Sequence, residues 1–574
     1  MLMSPASPAH VGTHQRRWVN GILFLILGLA FAVRLYWMIT QKGVMEGEYA
    51  RLAENILAGK GYLSSLEEQP NLMYAPLYPV LIALLSHFTR DIELAGRLIS
   101  VVSGAMLVLP MYFIGLHLHG KRTALICAAL TAFHPLLIGF SSTVLTETTY
   151  LTFMMAGMYW GLRSLQLDSL RSCALAGFFF GLAYLIRPEA FALVLLTILL
   201  VNVLGLFQRR GLRRLLWLSG VSLAAFSILA LPYIGFLRTQ TGKFILEGKS
   251  RLNYTIGTRF NTGMAYNQAA WGISEELAEE GPLREAYRYA AFTPYPTGAT
   301  DIARYVLTTS NRNKQILYET LVCFAGFGPI LLGLDFVGFY GEDWNKNRLI
   351  GEIFLVSAFL LFIVVLLTAH LLQFRYFLSV LPLLIIWASK GIDHVSEWAR
   401  STASILTNRV LPTGSRIVVA AQCLLSFMLL LFALKSTAYV SELTEGRYEQ
   451  NVAKEAGLWL KQFRPGPKTI MTSNTTVIPY YSGSVMMALP YANSSLALRY
   501  IHKKNPDFVV LEGNTIKLRP YIQEWIEKGI LDATAKLVYS KGNSTENRIA
   551  IYEFHRACTG NDPAATVPLL STSR

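Results

Sequence analysis

Apolar runs, most of them near the length that crosses a bilayer, recur along the first three quarters of this chain, with charges gathered between them. In hydrocarbon the backbone has no water to bond, so such runs must close their hydrogen bonds internally as helices. Composition agrees: 53% of the 574 residues are hydrophobic, 15% are charged and the mean hydropathy is +0.39. Soluble domains carry about 25% charged residues. The sequence therefore describes an integral membrane protein. Its net charge of +15 does not indicate nucleic acid, because the basic residues are scattered between apolar runs and form no basic, aromatic-laced face. Arg16 and Arg17 precede Gly21–Thr40, which is too long for a signal-peptide core and has no small-residue cleavage site after it, so a retained first span is expected. Of the five cysteines, Cys127, Cys173, Cys323 and Cys423 lie in apolar runs and Cys558 in a polar segment, which indicates neither disulfides nor a thiolate metal site.

The runs give a mainly α fold, a polytopic helix bundle of about 11 spans. After Gly21–Thr40 they are Leu94–Leu118, Thr123–Phe140, Tyr150–Leu165, Cys173–Ile186, Ala190–Phe207, Leu215–Leu237, Ile316–Phe339, Ile353–Leu372, Tyr376–Ser389 and Ile417–Leu434. Val80–Phe88 is too short and reads as a surface or re-entrant helix, with Pro76 and Pro79 suited to its first turn. The domains expected are a tail over 1–20, a membrane catalytic unit over 21–436 with outer loops at 41–93 and 238–314, a soluble α/β domain over 437–560 and a disordered tail over 561–574. In the soluble part a helix is expected over Val452–Phe463, with strands at Thr469–Met471, Asp507–Leu511 and Ile549–Phe554.

Basic residues orient the bundle. Lys121/Arg122, Arg163/Arg171, Arg209, Arg210, Arg213 and Arg214, Lys346/Arg348 and Arg400/Arg409/Arg416 fall on one side, which the positive-inside rule makes cytoplasmic. The short connections on the other side contain only Arg187 and Arg375. Both long loops and the soluble domain should then lie on the outer face.

Unusual groups collect at these outer corners. In VMEGEYARLAENILAGKGY, residues 44–62, Glu46 and Glu48 flank Gly47. Tyr49, Leu52, Ala53, Ile56 and Leu57 then form one apolar stripe of a short helix that Gly59-Lys60-Gly61 stops, so an interfacial helix is expected with two acids at its start. Glu147 stands within LTETT, Arg187-Pro188-Glu189 forms a tight corner, and Gln373-Phe374-Arg375-Tyr376 opens a later span. Each alone is the usual solvated cap or topology anchor. Together they place acids opposite cations at one surface, which suits a lipid-linked phosphate held by arginine while a carboxylate moves a proton. Arg34, near the outer end of the first span, could reach the interface by snorkelling and join that set.

The succession EYARLAENILAGKGY, APLYPVLIALL, LTETTYLTF, GLAYLIRPEAFALVLL and RYFLSVLPLL resembles the GT-C superfamily of membrane glycosyltransferases. Within it the likeness is to the branch of protein O-mannosyltransferases and lipid A aminoarabinose transferases. The resemblance implies transfer of a sugar from undecaprenyl or dolichyl phosphate to a protein, lipid or polysaccharide acceptor, with inversion, at the outer face of a membrane of the bacterial inner type. It implies as partners the polyprenyl-phosphate-linked sugar, the acceptor and membrane lipids. It also implies Glu46 or Glu48 as base, Glu147 as a second acid that could lie near a divalent metal ion, and Arg187, Arg375, Tyr376 and Arg34 on the donor side. No other cofactor is expected. One departure stands out: the family's first loop usually reads Asp-Glu-x-x-Tyr, and counting back from Tyr49 puts Met45 at the Asp position. Both glutamates stay open as the base. The rival reading is a transporter or flippase of a lipid-linked sugar, against which the spans show no obvious inverted repeat.

Overall fold

The computed structural model describes residues 13–41, 45–277, 298–324, 328–341, 344–372, 374–407, 416–435, 440–473 and 476–555, with positions 410 and 412. The expected tail over 561–574 and most of the expected tail over 1–20 lie outside them, as does Gln373. The chain divides into two compact units, one formed by 1–270 with 282–451 and the other by 271–281 with 452–574.

The first unit is helical. Its opening helices are α1 (Thr13–Gln41), α2 (Gly47–Leu57), α3 (Leu77–Thr89), α4 (Ile92–Met106), α5 (Val108–His119), α6 (Lys121–Phe133) and α7 (Pro135–Phe140). Then come α8 (Glu147–Leu167), α9 (Leu170–Tyr184), α10 (Ala190–Phe207) and α11 (Leu212–Thr241). Short helices α12 (Ser250–Asn261) and α13 (Tyr266–Trp271) follow, and α13 ends at the first residue of the second unit. The series closes with α14 (Ala299–Phe324), α15 (Gly328–Tyr340), α16 (Lys346–Thr368), a 3₁₀ turn at Phe374–Ser379, α17 (Leu381–Thr407) and α18 (Arg416–Lys435).

Among the described residues five helical stretches are long and apolar enough to cross a membrane: Asn20–Thr40, Ile92–His119, Ala190–Phe207, Leu212–Thr241 and Lys346–Thr368. These coincide with five of the expected spans, and the figure of eleven is not reached by length and composition. The departures have local causes. Thr123–Phe140 is two helices because Pro135 lacks the amide that would continue α6, and it begins α7 instead. The bend at Leu107 has the same origin, since Pro110 cannot donate to the carbonyl of Met106. The stretch expected over Ile316–Phe339 is shared by α14 and α15, and Tyr376 begins in a 3₁₀ turn before α17. The loop expected over 238–314 is largely helical where described, through α12, α13 and α14.

Helix α2 starts and stops where its sequence signals lie, with Gly59 in the left-handed conformation (φ 69°) that follows its last turn. Its faces differ from the expected stripe. Tyr49, Leu52 and Ala53 are buried, but Leu57 is 47% exposed and Glu48 is buried in its place. Helix α3 is also more buried than a surface helix would be, with Tyr78 and Ile82 fully inside.

In the second unit, α19 (Val440–Phe463), which begins in the first, leads to a five-stranded sheet of order β2-β1-β3-β5-β4. The strands are β1 (Thr469–Thr472), β2 (Val485–Ala488), β3 (Phe508–Glu512), β4 (Ala535–Lys541) and β5 (Ile549–Phe554), with β2, β1 and β3 parallel and the rest antiparallel. Three were expected; β2 and β4 are additional. One face packs Tyr500, Tyr521 and Trp525, the other Ala456, Leu460 and Ile478. The carboxyl edge of the parallel strands, where α/β folds often bind ligands, is filled by the chain itself. Thr472 donates to Glu512 (2.7 Å), and Arg519 donates to the carbonyls of Leu489 (2.9 Å) and Ser473 (3.0 Å).

Candidate active site

Backbone pairing joins the two acid-bearing segments. Met45 forms a parallel bridge with Val144, and the Glu46 amide donates to the Val144 carbonyl at 3.4 Å. Helix α4 supports the same strip, with Arg97 donating to the Ser142 carbonyl (2.6 Å) and Gly96 packed so closely on Val144 that a Cβ would lie 2.7 Å from it. Glu46 therefore caps the start of α2 beside the residues that lead into α8, whose first residue is Glu147. Both helices begin with an acid, which their N-terminal dipoles favour.

Glu147 is 1% exposed. Its Oε1 accepts from Arg187 Nη2 at 2.6 Å and lies 4.0 Å from Arg375 Nη1, whereas its Oε2 has no hydrogen-bond partner among the described residues. Arg187 comes from the corner between α9 and α10, and its Nε also donates to Thr146 Oγ1 at 3.2 Å. Its guanidinium lies 5.5 Å from the ring centre of Tyr150 and 6.0 Å from that of Tyr376, and Arg375 lies 5.6 Å from Tyr376. Tyr376 is thus shared by two arginines. Burial pulls both guanidiniums toward the neutral form, but Glu147 and further acids outweigh it, so both are held more firmly cationic than usual. Glu46 is among the groups acting on Arg375, which ties it electrostatically to the same centre.

Glu48 has a different place. Its Oε2 accepts from the Ser65 amide (3.1 Å) and the Ser65 hydroxyl, and its Oε1 accepts from Asn71 Nδ2 (2.8 Å). Burial first, with Glu46 adding, outweighs these bonds and raises its carboxyl above the usual range. Glu48 pins the 63–71 loop to α2. Arg34 is also removed from the donor side. Instead of snorkelling it is fully buried, and it donates to the carbonyls of Ala30 (3.0 Å), Thr131 (3.0 Å) and Ala132 (2.7 Å) and to Ser141 Oγ (3.1 Å). Two of those carbonyls are the ones left without an amide where Pro135 ends α6.

One cation escaped the sequence reading. Lys249 lies 4.6 Å from the ring centre of Tyr74, and it senses Glu189, Glu247, Arg187 and Arg375. Burial lowers its pKa, and those arginines add to the effect. Its loop is clamped down by Gly248, where a Cβ would meet the Leu72 carbonyl at 1.9 Å. Tyr49 joins this wall through edge contacts with Tyr74 (5.0 Å) and Tyr78 (5.3 Å). The signal was the triplet Glu247-Gly248-Lys249, charges about a glycine just after a span, as at Glu46-Gly47-Glu48.

A metal ion does not fit these residues. Among the described residues no group of three His, Cys, Asp or Glu is placed to hold one, and Glu147 faces two arginines that would repel a cation. What the cluster can do is bind an anion between Arg375, Arg187 and Lys249 with the Glu46 carboxylate alongside.

Residues 72–233 match the family described as dolichyl-phosphate-mannose-protein mannosyltransferase. No curated protein sequence matches the chain. Among solved structures, ArnT from Cupriavidus metallidurans bound to undecaprenyl phosphate is similar at 13% identity and a TM-score of 0.56, covering 95% of this chain and 99% of its own. The oligosaccharyltransferase of Archaeoglobus fulgidus in the apo form is similar at 14% identity and a TM-score of 0.58, covering 96% of this chain and 75% of its own. The chain thus has the fold of the GT-C membrane glycosyltransferases, and residues 72–233 bear the sequence pattern of their mannosyltransferase family.

Proposed function

We propose that this protein is a membrane glycosyltransferase that moves a sugar from a polyprenyl-phosphate carrier, undecaprenyl or dolichyl phosphate, to a protein, lipid or polysaccharide acceptor by a single inverting displacement. The observation that carries this reading is the pair of arginines about Glu147 and Tyr376, with Glu46 held beside them by backbone pairing. The matched family segment contains Glu147 and Arg187, and the similar ArnT is bound to undecaprenyl phosphate, which suggests the carrier.

The leaving group is a phosphate, stable as an anion, so it needs cations more than a general acid. Arg375, the more exposed of the two arginines, takes the phosphate, and Lys249 adds positive charge to the same field. Arg187 is fixed by Glu147 and Thr146 and holds the field in place. The acceptor hydroxyl or amine is a weak nucleophile, and Glu46 receives its proton as the new glycosidic bond forms and the carrier phosphate departs with the bonding electron pair. Glu48 keeps α2 and the following loop in register. The site faces the outer side of a membrane of the bacterial inner type, as the distribution of basic residues suggests.

The test uses purified protein in detergent with polyprenyl-phosphate-linked sugars and an acceptor extract. Transfer needs no sealed membrane, whereas transport does. Sugar transferred by wild type and lost in E46Q supports the proposal; movement of the carrier-linked sugar seen only in sealed vesicles, with no transfer in detergent, would favour a transporter.

A further inference from the structure

Helices α8 and α10 both start at the candidate site and end together elsewhere. Helix α8 has 21 residues, which at ~1.5 Å each carries it about 30 Å, the thickness of a hydrocarbon core. At its far end the turn 167–171 meets the turn 208–214 that follows α10. Arg214 Nε donates to Asp168 Oδ1 (3.1 Å), Arg214 Nη2 to the Asp168 carbonyl (2.9 Å) and Arg210 Nη2 to the Leu165 carbonyl (3.2 Å). Asp168 is the sole acid in these two turns, against Arg171, Arg209, Arg210, Arg213 and Arg214.

Arg171, Arg209 and Arg213 are exposed and have no protein partner among the described residues. Several cations elsewhere at this end are committed: Arg122 and Arg400 share Glu397, Lys390 pairs with Asp393, and Arg348 donates to the carbonyls of Gly338 and Phe339. The apolar side chains flanking the arginine turns are open, with Phe207 83%, Leu212 66% and Trp217 58% exposed. Open guanidiniums on turns braced by Asp168, at the rim of an apolar surface, match a phosphodiester with acyl chains below it, since arginine offers phosphate a planar fork and an indole settles at the head-group level.

We propose that the turns 167–171 and 208–214 form a head-group site for an acidic glycerophospholipid in the leaflet opposite the candidate active site. The lipid phosphate lies among Arg171, Arg209 and Arg213, while Asp168 keeps Arg210 and Arg214 bridging the two turns beneath it. Bound lipid then ties together the ends of α8, α9, α10 and α11.

Thermal unfolding of the purified protein in detergent tests this, with added dioleoylphosphatidylglycerol, dioleoylphosphatidylcholine or inorganic phosphate. The midpoint should rise saturably with phosphatidylglycerol and not with the other two. At about fivefold in affinity per interfacial cation, R209A/R213A should raise the half-saturating lipid fraction about 30-fold. The pair K121A/K346A, equal in charge and outside the turns, should leave it unchanged. Native mass spectrometry counting retained phosphatidylglycerol in wild type and R171A gives the same comparison should the double variant unfold. Equal stabilisation by both lipids, stabilisation by phosphate alone, or equal losses in the two double variants would overturn the proposal.

Discussion

Neutralising Glu147 tests the centre of the cluster. E147Q keeps the shape and one hydrogen-bond acceptor toward Arg187 but removes the charge at 2.6 Å. A hydrogen bond to a charged group is worth about 1.5–3 kcal/mol. The second contact, 4.0 Å to an arginine side chain 36% exposed, adds under about 1 kcal/mol because solvent screens it. The expected loss of stability is therefore about 2–3 kcal/mol, mostly from the half-buried Arg187 left without its counter-ion. Because that penalty belongs to the pair, R187Q in the E147Q background should cost much less than R187Q alone. A double-mutant cycle on unfolding in detergent should give a coupling of about 2 kcal/mol. A coupling below about 0.5 kcal/mol would refute the claim that Glu147 fixes Arg187. Turnover supplies an independent readout. If Glu147 positions the arginines, E147Q lowers transfer at saturating carrier; if it only competes with the carrier phosphate, E147Q binds carrier more tightly and transfers as fast as wild type.

E46Q should lower turnover about 10²–10⁴-fold with carrier binding kept, measured as initial rates alongside carrier titration. E48Q should instead appear as lost thermal stability, since Ser65 and Asn71 already use its carboxylate. R375A should weaken carrier affinity about ten- to a hundredfold with R375K restoring part of it, and wild-type affinity in both R375A and R187A would reduce these residues to topology anchors. The Glu247 carboxyl is pushed up from its ordinary 4.5 to about 7, by burial first and then Glu189, so the folded protein keeps a proton that the unfolded chain releases between those values. Its contribution to stability is full below about pH 4.5 and is lost as pH rises to about 7, and E247Q should flatten that fall in unfolding midpoints taken across pH. A cysteine at Ser544 should react with an impermeant thiol reagent in intact cells or spheroplasts, and protection there would place the second unit on the other side.

How far the sequence could be read depended on whether a residue's partners are set locally. The ends of α2, α8 and α10 follow from apolar period, glycine and charge within a few positions. Glu147, Arg187 and Arg375 could be picked out because each interrupts an apolar run. The partners of Glu48 are not local: Ser65 and Asn71 lie 17 and 23 residues away in a loop without periodicity. Edge strand β4 escaped because its burial is only partial and irregular. Arg34 and Arg187 show the limit best. Both are arginines at the margin of an apolar run, and nothing adjacent to either separates a structural role from a functional one. What separates them is the other chain segment: α6 ends early at Pro135 and offers Arg34 bare carbonyls, whereas α8 begins with a carboxylate and offers Arg187 a counter-ion. Carbonyls can be satisfied only by a donor that stays, so Arg34 is committed to holding α1, α6 and the start of the 141–149 strip together. A carboxylate pair leaves guanidinium edges for an incoming anion. That difference lies in the break of a helix nearly a hundred residues from Arg34, and only the folded chain brings it to bear.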